Sequence, residues 1–473
     1  MESSSQLKDF LELTYNELEA LNIKARALDP ARAKSVHIKS LESEPRIKAV
    51  TVCFCDIEGR LHMLDYNKNF LLNSLDNLTF DGSSIRGFSE LHESDLRLAL
   101  DWTSLTYLPS DVFGGGKIAI FANIATRDSK PYESDFRGLL QQYAKELKAS
   151  SGYEAFMAPE LEGFLFEGVD AEQYYETNVG FKPISTGGYF HALPLDRLRQ
   201  FIDLTADAQR AMGFRNEKDH PEVAPSQFEI NFSYTDVVRA CDQVLLYKLV
   251  CRQVANNLGM TATFLPKPVQ GLNGNGMHTN FSLAKNGKNI FHDKTGQDGL
   301  STLAWEFIDK LLNRASEISL ILNSSVNAYR RLDPNFEAPN QIKVSANDRG
   351  SMIRVPLGND KTARIEIRSV SPDANPYLLL FTILKTGLED KPPKASVSRQ
   401  RLRFLPGNVN DAIRLFRSSD FITTVMGQAS KDKYIHYKQA SAYRNPRELG
   451  DTIKASEILY HHEVTNQFLW NSF

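Results

Sequence analysis

The chain has 473 residues, 42% hydrophobic and 24% charged, with 55 Lys and Arg against 58 Asp and Glu for a formal net charge of -3. That is an ordinary globular composition, long enough for roughly 75% of the extended surface to be buried in one large or two medium domains. It excludes the net basic field that would mark a nucleic-acid or membrane-surface partner, while leaving room for local arginine clusters that receive phosphates.

In chain order, the first residues lack the basic and apolar regions of a secretory signal. Residues 5–27 place Leu7, Phe10, Leu11, Leu18 and Leu21 among Glu and Lys at helical spacing, which predicts an amphipathic helix. The segment 47–56, IKAVTVCFCD, reads as a strand, IEGR as a turn and LHMLDY as its partner strand. Residues 79–95 break periodicity with two glycines and several serines and read as an ordered loop. GGGKIAIFANI enters a strand, and its glycines lack the G-x-x-x-x-G-K-[ST] frame of a phosphate loop. A helix is expected over 134–148. From 153 onward, strands are separated by two long helices over 196–212 and 234–258, with further helices over 303–316 and 375–388. The prolines of EDKPPKASVSRQRLRF mark a linker or surface loop, and helical segments complete the C-terminus. No run approaches the about 18 apolar residues of a membrane span. The four cysteines include no CxxC pair, so neither a disulfide scaffold nor a zinc site is expected and the setting is a reducing cytoplasm. Strands and helices in this order suit an α+β or mixed-sheet domain.

Three segments put carboxylates where burial is expected. In APELEGFLF, Glu160 and Glu162 fall on one side of a strand with Cα atoms about 6.5 Å apart. They are either an exposed strand end or a metal site, because buried carboxylates are costly unless paired or coordinated. In HPEVAPSQFEINF, Glu222 and Glu229 would face opposite ways on an uninterrupted strand, but a bend at Pro225 could turn both toward one ion. In ARIEIRSV, Arg364, Glu366 and Arg368 share one face. That face is either a surface salt-bridged strand or a metal ligand flanked by arginines for an anionic substrate. Five glutamates and a histidine supply enough hard ligands for two Mg2+ or Mn2+ ions, and a site without thiolates is a poor zinc site. GLNGNGMHTNFSL, with two Asn-Gly steps, reads either as a hairpin turn or as a place where backbone and imidazole meet a ligand.

Taken together, FDGSSIRGF, PELEGFLF, GGYF, EVAPSQFEI, FLPKP with NGNGMHTNFSL, NAYRRLDPNFEAP, NDRGSMIRVP and ARIEIR with DANPYL are collinear over roughly residues 45–390. In these motifs the chain resembles the glutamine synthetase family, in its long bacterial and archaeal branch. The resemblance implies an α+β fold with an N-terminal helical extension (1–45), a small β-grasp domain (46–125) and a large catalytic domain with a curved antiparallel sheet and flanking helices (126–473). It implies ATP-dependent joining of ammonia to L-glutamate through γ-glutamyl phosphate, in a cytoplasmic homo-oligomer of stacked hexameric rings (a dodecamer) with active sites between subunits.

By the same resemblance, Glu162, Glu222 and Glu229 would hold one metal and Glu160, His278 and Glu366 the other. Asn273, Gly274 and His278 would meet glutamate with Arg331 and Arg368. Arg349, Arg354 and Arg364 would surround the nucleotide phosphates, with Lys361 and Ser282 as further nucleotide-site positions. Glu337 would sit on a closing flap. Asp81 and Ser84 of an adjacent subunit would form an ammonium pocket with Tyr189 and Glu222, Asp81 accepting the proton. DGSS alone would read as an Asx-turn. The chain departs from the family pattern at Asn280, where a second histidine is usual, at His220-Pro221 in place of paired histidines, and at Asn347 in place of Arg. It also lacks the acidic segment with a modifiable tyrosine, so regulation by nucleotidylation is not expected. A γ-glutamyl ligase for amines or polyamines, and a non-catalytic metabolite sensor on the same scaffold, are the alternatives.

Overall fold

The computed structural model describes residues 13–85, 88–89, 94–171, 180–391 and 402–442. Two helices lead the chain. Tyr15–Arg26 starts at a capping box in which Thr14 and Glu17 satisfy each other's amides, and Pro30–Ser43 starts with Asp29 as cap and a proline in the first turn. The first lies within the helix expected over 5–27, whose residues 5–12 fall outside the described ones.

A six-stranded sheet follows, in the order Leu61–Asn67, Ala49–Cys55, Ile118–Ala125, Asp95–Leu100, Thr79–Asp81, with Thr106–Tyr107 beside Ile118–Ala125. Ala49–Cys55 and Leu61–Asn67 form the hairpin expected around IEGR, whereas Ala49–Cys55 runs parallel to Ile118–Ala125. The apolar run AVTVCFC is explained by burial on both faces: Val50, Val52 and Phe54 enter the small sheet's own core, while Cys53 and Cys55 enter the core of the larger unit. The stretch read as a loop over 79–95 contains the strand Thr79–Asp81 and a 3-10 helix, Gly82–Ser84. Pairing with Asp95–Leu100 supplies the backbone hydrogen bonds that local propensity does not.

The larger unit is an eleven-stranded sheet, ordered Arg403–Phe404, Gln341–Ser345, Ser351–Arg354, Ile365–Ile367, Met277–Lys285, Tyr153–Glu167, Gln227–Phe232, Asn216–Pro221, with short strands off this path. Its strand pairs are antiparallel except Gln341–Ser345 with Ser351–Arg354. It is the curved antiparallel sheet of the expected α+β fold. The strand Tyr153–Glu167 is its spine, pairing along its length with several others. Helices Phe136–Ser151, Arg197–Ala211, Val237–Asn257, Thr302–Leu322 and Pro376–Leu384 pack on this sheet and on one another through one continuous apolar core. The helix expected to end near 316 continues to Leu322, because LILN keeps burying apolar side chains. Most of the predicted linker, 392–401, lies outside the described residues. The C-terminal helices are Val409–Ser418, Asp420–Met426 and Gln428–Ala442. All four cysteines are buried and free, and no helix among the described residues is long and apolar enough to cross a membrane.

Candidate active site

Strand register assembles the site. Across neighbouring strands His278 stands opposite Glu160, Glu162 opposite Glu229, and His220 also opposite Glu229, while Asn280 and Arg354 flank Glu366 from its two sides. Side chains two apart on a strand share a face, so Glu160 and Glu162, His278 and Asn280, and Glu366 and Arg368 all reach the same side of the sheet. The segment HPEVAPSQFE does not bend within one strand. It makes a tight connection in which the Glu222 amide donates to the Gln227 carbonyl at 2.8 Å, and this returns Glu229 beside Glu222. ARIEIR is no surface strand either, since Glu366 is fully buried.

Two groups result. Ligand atoms of Glu160, His278 and Glu366 lie within 4.8 Å of one another, as do those of His220, Glu222 and Glu229. Glu162 lies between them, 4.0 Å from His278 Nδ1 and accepting from the Gly276 amide at 2.7 Å. His220, in sequence only a departure from the family pattern, thus closes the second group beside Glu222 and Glu229. Its signal was its position two residues before Glu222 on a strand that ends in the site.

Both groups suit hard divalent cations. His220 Nδ1 lies 3.1 Å from the Pro221 carbonyl, to which it donates, and this leaves buried Nε2 with no hydrogen-bond partner and 3.7 Å from Glu229. A ring nitrogen fixed in this tautomer offers its lone pair to a metal. His278 Nδ1 faces Glu160 and Glu366 at 3.6 and 3.9 Å, a ring of donors around a gap rather than a set of closed hydrogen bonds.

The electrostatics agree. Burial, reinforced by the Glu222 charge, pushes the Glu162 carboxyl up to about 8. Burial also raises Glu222 to about 7, against the restraint of the Val223 amide, and drives Glu229 well above the carboxylate range with its three carboxylate neighbours. The His278 imidazole is lowered to about 4 by burial and then by Arg368, so the ring is neutral and in the ligand form. At Glu160 burial is outweighed by His278, which holds the carboxyl at about 2. Such mutually repelling, dehydrated carboxylates need cations to stay ionised together, and Mg2+ or Mn2+ fits their oxygen-rich set.

Around these groups lies a pocket of about 130 Å³ that also brings together Tyr189, Asn273, Gly274, Arg331, Glu337, Arg349, Arg354 and Arg368. Arg368 donates to Glu366 at 2.6 Å, and Arg354 pairs with the other Glu366 oxygen. Buried Arg331 donates to the Arg368 carbonyl at 3.0 Å and leaves Nη1 without a partner. Gly274 and Gly276 are required by crowding: a Cβ would sit 2.3 Å from the Pro266 carbonyl oxygen at the first and 2.7 Å from both Arg331 and His278 at the second. The Asn-Gly steps are therefore no hairpin, and 271–276 instead leads into the strand Met277–Lys285. Glu337 ends the 3-10 helix Pro334–Phe336 in the left-handed region, φ 60°.

A second cavity, of about 360 Å³, holds Ser282, Lys361 and Arg364 with Phe156, Tyr234 and Asn280. The expected phosphate arginines are thus divided, Arg364 here and Arg349 and Arg354 in the first pocket. Asn280 bridges the two by accepting from Arg364 at 2.8 Å and donating to Glu160 at 3.2 Å. Asp81 and Ser84 do not reach either cavity within one chain. Asp81 is exposed on the small sheet, accepting from the Ser83 amide at 2.9 Å and from the Ser84 hydroxyl at 2.6 Å.

Comparison with known proteins agrees with this geometry. Residues 46–126 match the family described as glutamine synthetase, beta-Grasp domain, and residues 133–452 match glutamine synthetase, catalytic domain. The chain is 35% identical over 416 residues to a glutamine synthetase of Methanosarcina mazei, covering 84% of this chain and 91% of that protein. It is 33% identical over 431 residues to one of Thermus thermophilus, covering 86% and 94%. The fold matches a Plasmodium falciparum glutamine synthetase with a TM-score of 0.77 at 20% identity, over 89% of this chain and 98% of that one.

Proposed function

The chain belongs to the glutamine synthetase family, and we infer that it ligates ammonia to L-glutamate with ATP through γ-glutamyl phosphate, releasing glutamine, ADP and phosphate. The observation that carries this reading is the pair of three-ligand groups set in an arginine-lined pocket that opens beside a second cavity large enough for a nucleotide.

Glutamate's carboxylate is a poor acyl donor, and phosphorylation gives it a leaving group. Two divalent cations, held by Glu160, His278 and Glu366 and by Glu162, His220, Glu222 and Glu229, would supply the positive charge that lets a carboxylate approach ATP. Arg331 and Arg368, with Asn273, Gly274 and His278, orient glutamate, while Arg349 and Arg354 neutralise phosphoryl oxygens. Ser282, Lys361 and Arg364 hold the nucleotide in the larger cavity. Glu337 closes over the acyl phosphate and keeps water out. Tyr189 and Glu222 bind ammonium, and Asp81, with Ser84 beside it, accepts its proton from a neighbouring copy in a ring assembly, because within one chain Asp81 lines neither cavity. The set of acidic ligands argues against a non-catalytic sensor.

The deciding experiment supplies purified protein with ATP, Mg2+ and glutamate, and either ammonium or an organic amine such as methylamine or putrescine. Glutamine formation from ammonium is expected. Turnover with the organic amine alone would replace this reading with that of an amine ligase.

A further inference from the structure

The two cavities meet at a lysine to which no role has been given. The pocket of carboxylates and arginines and the larger nucleotide cavity share two lining residues, Glu160 and Lys218. Lys218 lies on the strand Asn216–Pro221 opposite Asn231, two residues before His220, so it faces the same side of the sheet as the metal-binding set. Its strand neighbours are tied down: Glu217 accepts from Ser233 at 2.8 Å, and Asp219 pairs with Arg199. The Lys218 side chain makes no hydrogen bond or ion pair among the described residues, although carboxylates line the pocket around it. Burial is the leading influence on protonation at Glu160, His220 and Tyr189, and the Lys218 charge is a further influence at all three, which places it within range of the whole entrance.

The other cations each line only one of the two cavities, Arg331, Arg349, Arg354 and Arg368 the carboxylate pocket and Lys361 and Arg364 the nucleotide cavity. Arg354 and Arg368 share the single charge of Glu366, and Arg364 is held by Asn280. An ammonium with no protein partner, standing where nucleotide space opens into carboxylate space, matches the place where a phosphoryl group crosses from one to the other.

We propose that Lys218 is a catalytic cation of the phosphoryl-transfer step, contacting the oxygens of the γ-phosphoryl group as it passes from ATP to glutamate. In that step a γ-carboxylate oxygen of glutamate bonds to the γ-phosphorus while the bond from phosphorus to the β,γ-bridging oxygen breaks, and ADP leaves with that electron pair. No proton moves, and Lys218 remains an ammonium. The lysine is neither acid nor base in this step and acts through charge alone. A lysine suits this as a point charge on a flexible stem with no fixed partner, and it is the charge, not the shape of the head group, that the step uses.

The proposal rests on the ligase reading, and a rapid-quench experiment separates the two. Enzyme, Mg2+, glutamate and γ-labelled ATP are mixed without ammonium, and the acyl phosphate is trapped with hydroxylamine. Lys218→Gln should slow acyl-phosphate formation roughly tenfold to a hundredfold, and Lys218→Arg should restore most of the rate. The KM for ammonium, the Mn2+ affinity and the melting temperature should not change. A Lys218→Gln enzyme that forms acyl phosphate at the wild-type rate overturns the proposal, as does a loss that follows weakened Mn2+ binding or unfolding. A wild-type enzyme that forms no acyl phosphate refutes the ligase reading itself.

Discussion

Glu366 has no exposed surface and gives each of its oxygens to a guanidinium, so its removal does more than delete a metal ligand. Glu366→Ala leaves Arg368 buried beside Arg354 without a counter-charge, and breaking a buried pair from one side costs about 3–5 kcal/mol. Glutamine formation should fall at least a hundredfold, and the denaturant midpoint should fall with it. Glu366→Gln, which keeps an acceptor, should lose activity with a much smaller loss of stability. Equal unfolding midpoints for Glu366→Ala and the wild type would remove Glu366 from its buried pairing. The carboxylates of the other group set a pH dependence. Glu162 and Glu222 are raised to about 8 and about 7 from the ordinary 4.5, chiefly by burial. The metal-free fold therefore holds protons that the unfolded chain releases, and by linkage their contribution to stability falls as pH rises from about 4.5 to about 8, opposed below about 6.5 by His278, which burial keeps neutral. Metal binding displaces those protons. Melting temperature should decline over that window without metal and level off in saturating Mn2+, and titration in buffers of different ionisation enthalpy should register proton release. At this scale the sequence is legible where chemistry is intrinsic to residue type, as with Glu160 and Glu162 in one strand. It is silent on His220 Nε2 and Lys218, whose meaning comes from what stands across the sheet.

Secondary-structure elements carry the site by holding register, and connecting segments carry it by fitting closely. Helices with sustained apolar spacing, such as Val237–Asn257, are readable in the sequence because burial there repeats with every turn. The three-residue strand Ile365–Ile367 is readable as a strand from its alternation, but the burial of Glu366 is not, since it depends on Arg354 across the sheet as well as on Arg368. The same holds for the segment ahead of Met277–Lys285, where two glycines look alike in sequence but differ in space. Gly271 has φ 79° and an open surrounding, whereas Gly274 meets the Pro266 carbonyl. Gly271→Ala should cost roughly 1 kcal/mol of backbone strain with kinetics little changed. Gly274→Ala must move the chain that carries Asn273, and should raise the KM for glutamate tenfold or more. Equal effects from the two would show that backbone freedom, and not close approach, explains Gly274. Nearby, His191 donates from Nδ1 to the Gly188 carbonyl at 2.6 Å and reaches Asp196 with Nε2 at 2.5 Å, which clasps the turn bearing Tyr189. His191→Ala should raise the KM for ammonium more than the KM for ATP, as steady-state kinetics with each substrate varied will register.

At the scale of the whole molecule, the small sheet is bound firmly to the large one. Asn22 joins the Tyr107 and Ala211 carbonyls, Arg137 bridges Asp101 and Asp242, and Asn375 donates to the Asp56 and Ile57 carbonyls. These contacts hold the small sheet against the large one, and Asp81 lines neither cavity of its own chain. Meanwhile the turn beside that pocket exposes Tyr189, Phe190, Leu193 and Leu195, an apolar rim suited to a second copy. If the proton acceptor comes from a neighbour, Asp81 and Glu366 of one chain serve different sites, and defects in the two should complement each other. Asp81→Asn and Glu366→Gln should each be nearly inactive alone. Dissociated, mixed in equal amounts and reassembled, they place an intact Asp81 from one variant beside an intact Glu366 from the other at roughly a quarter of the interfaces. The mixture should recover glutamine synthesis to about that fraction of the wild-type rate. If both residues served one site within a chain, no pairing of copies could restore it, and the mixture would stay as inactive as its parts.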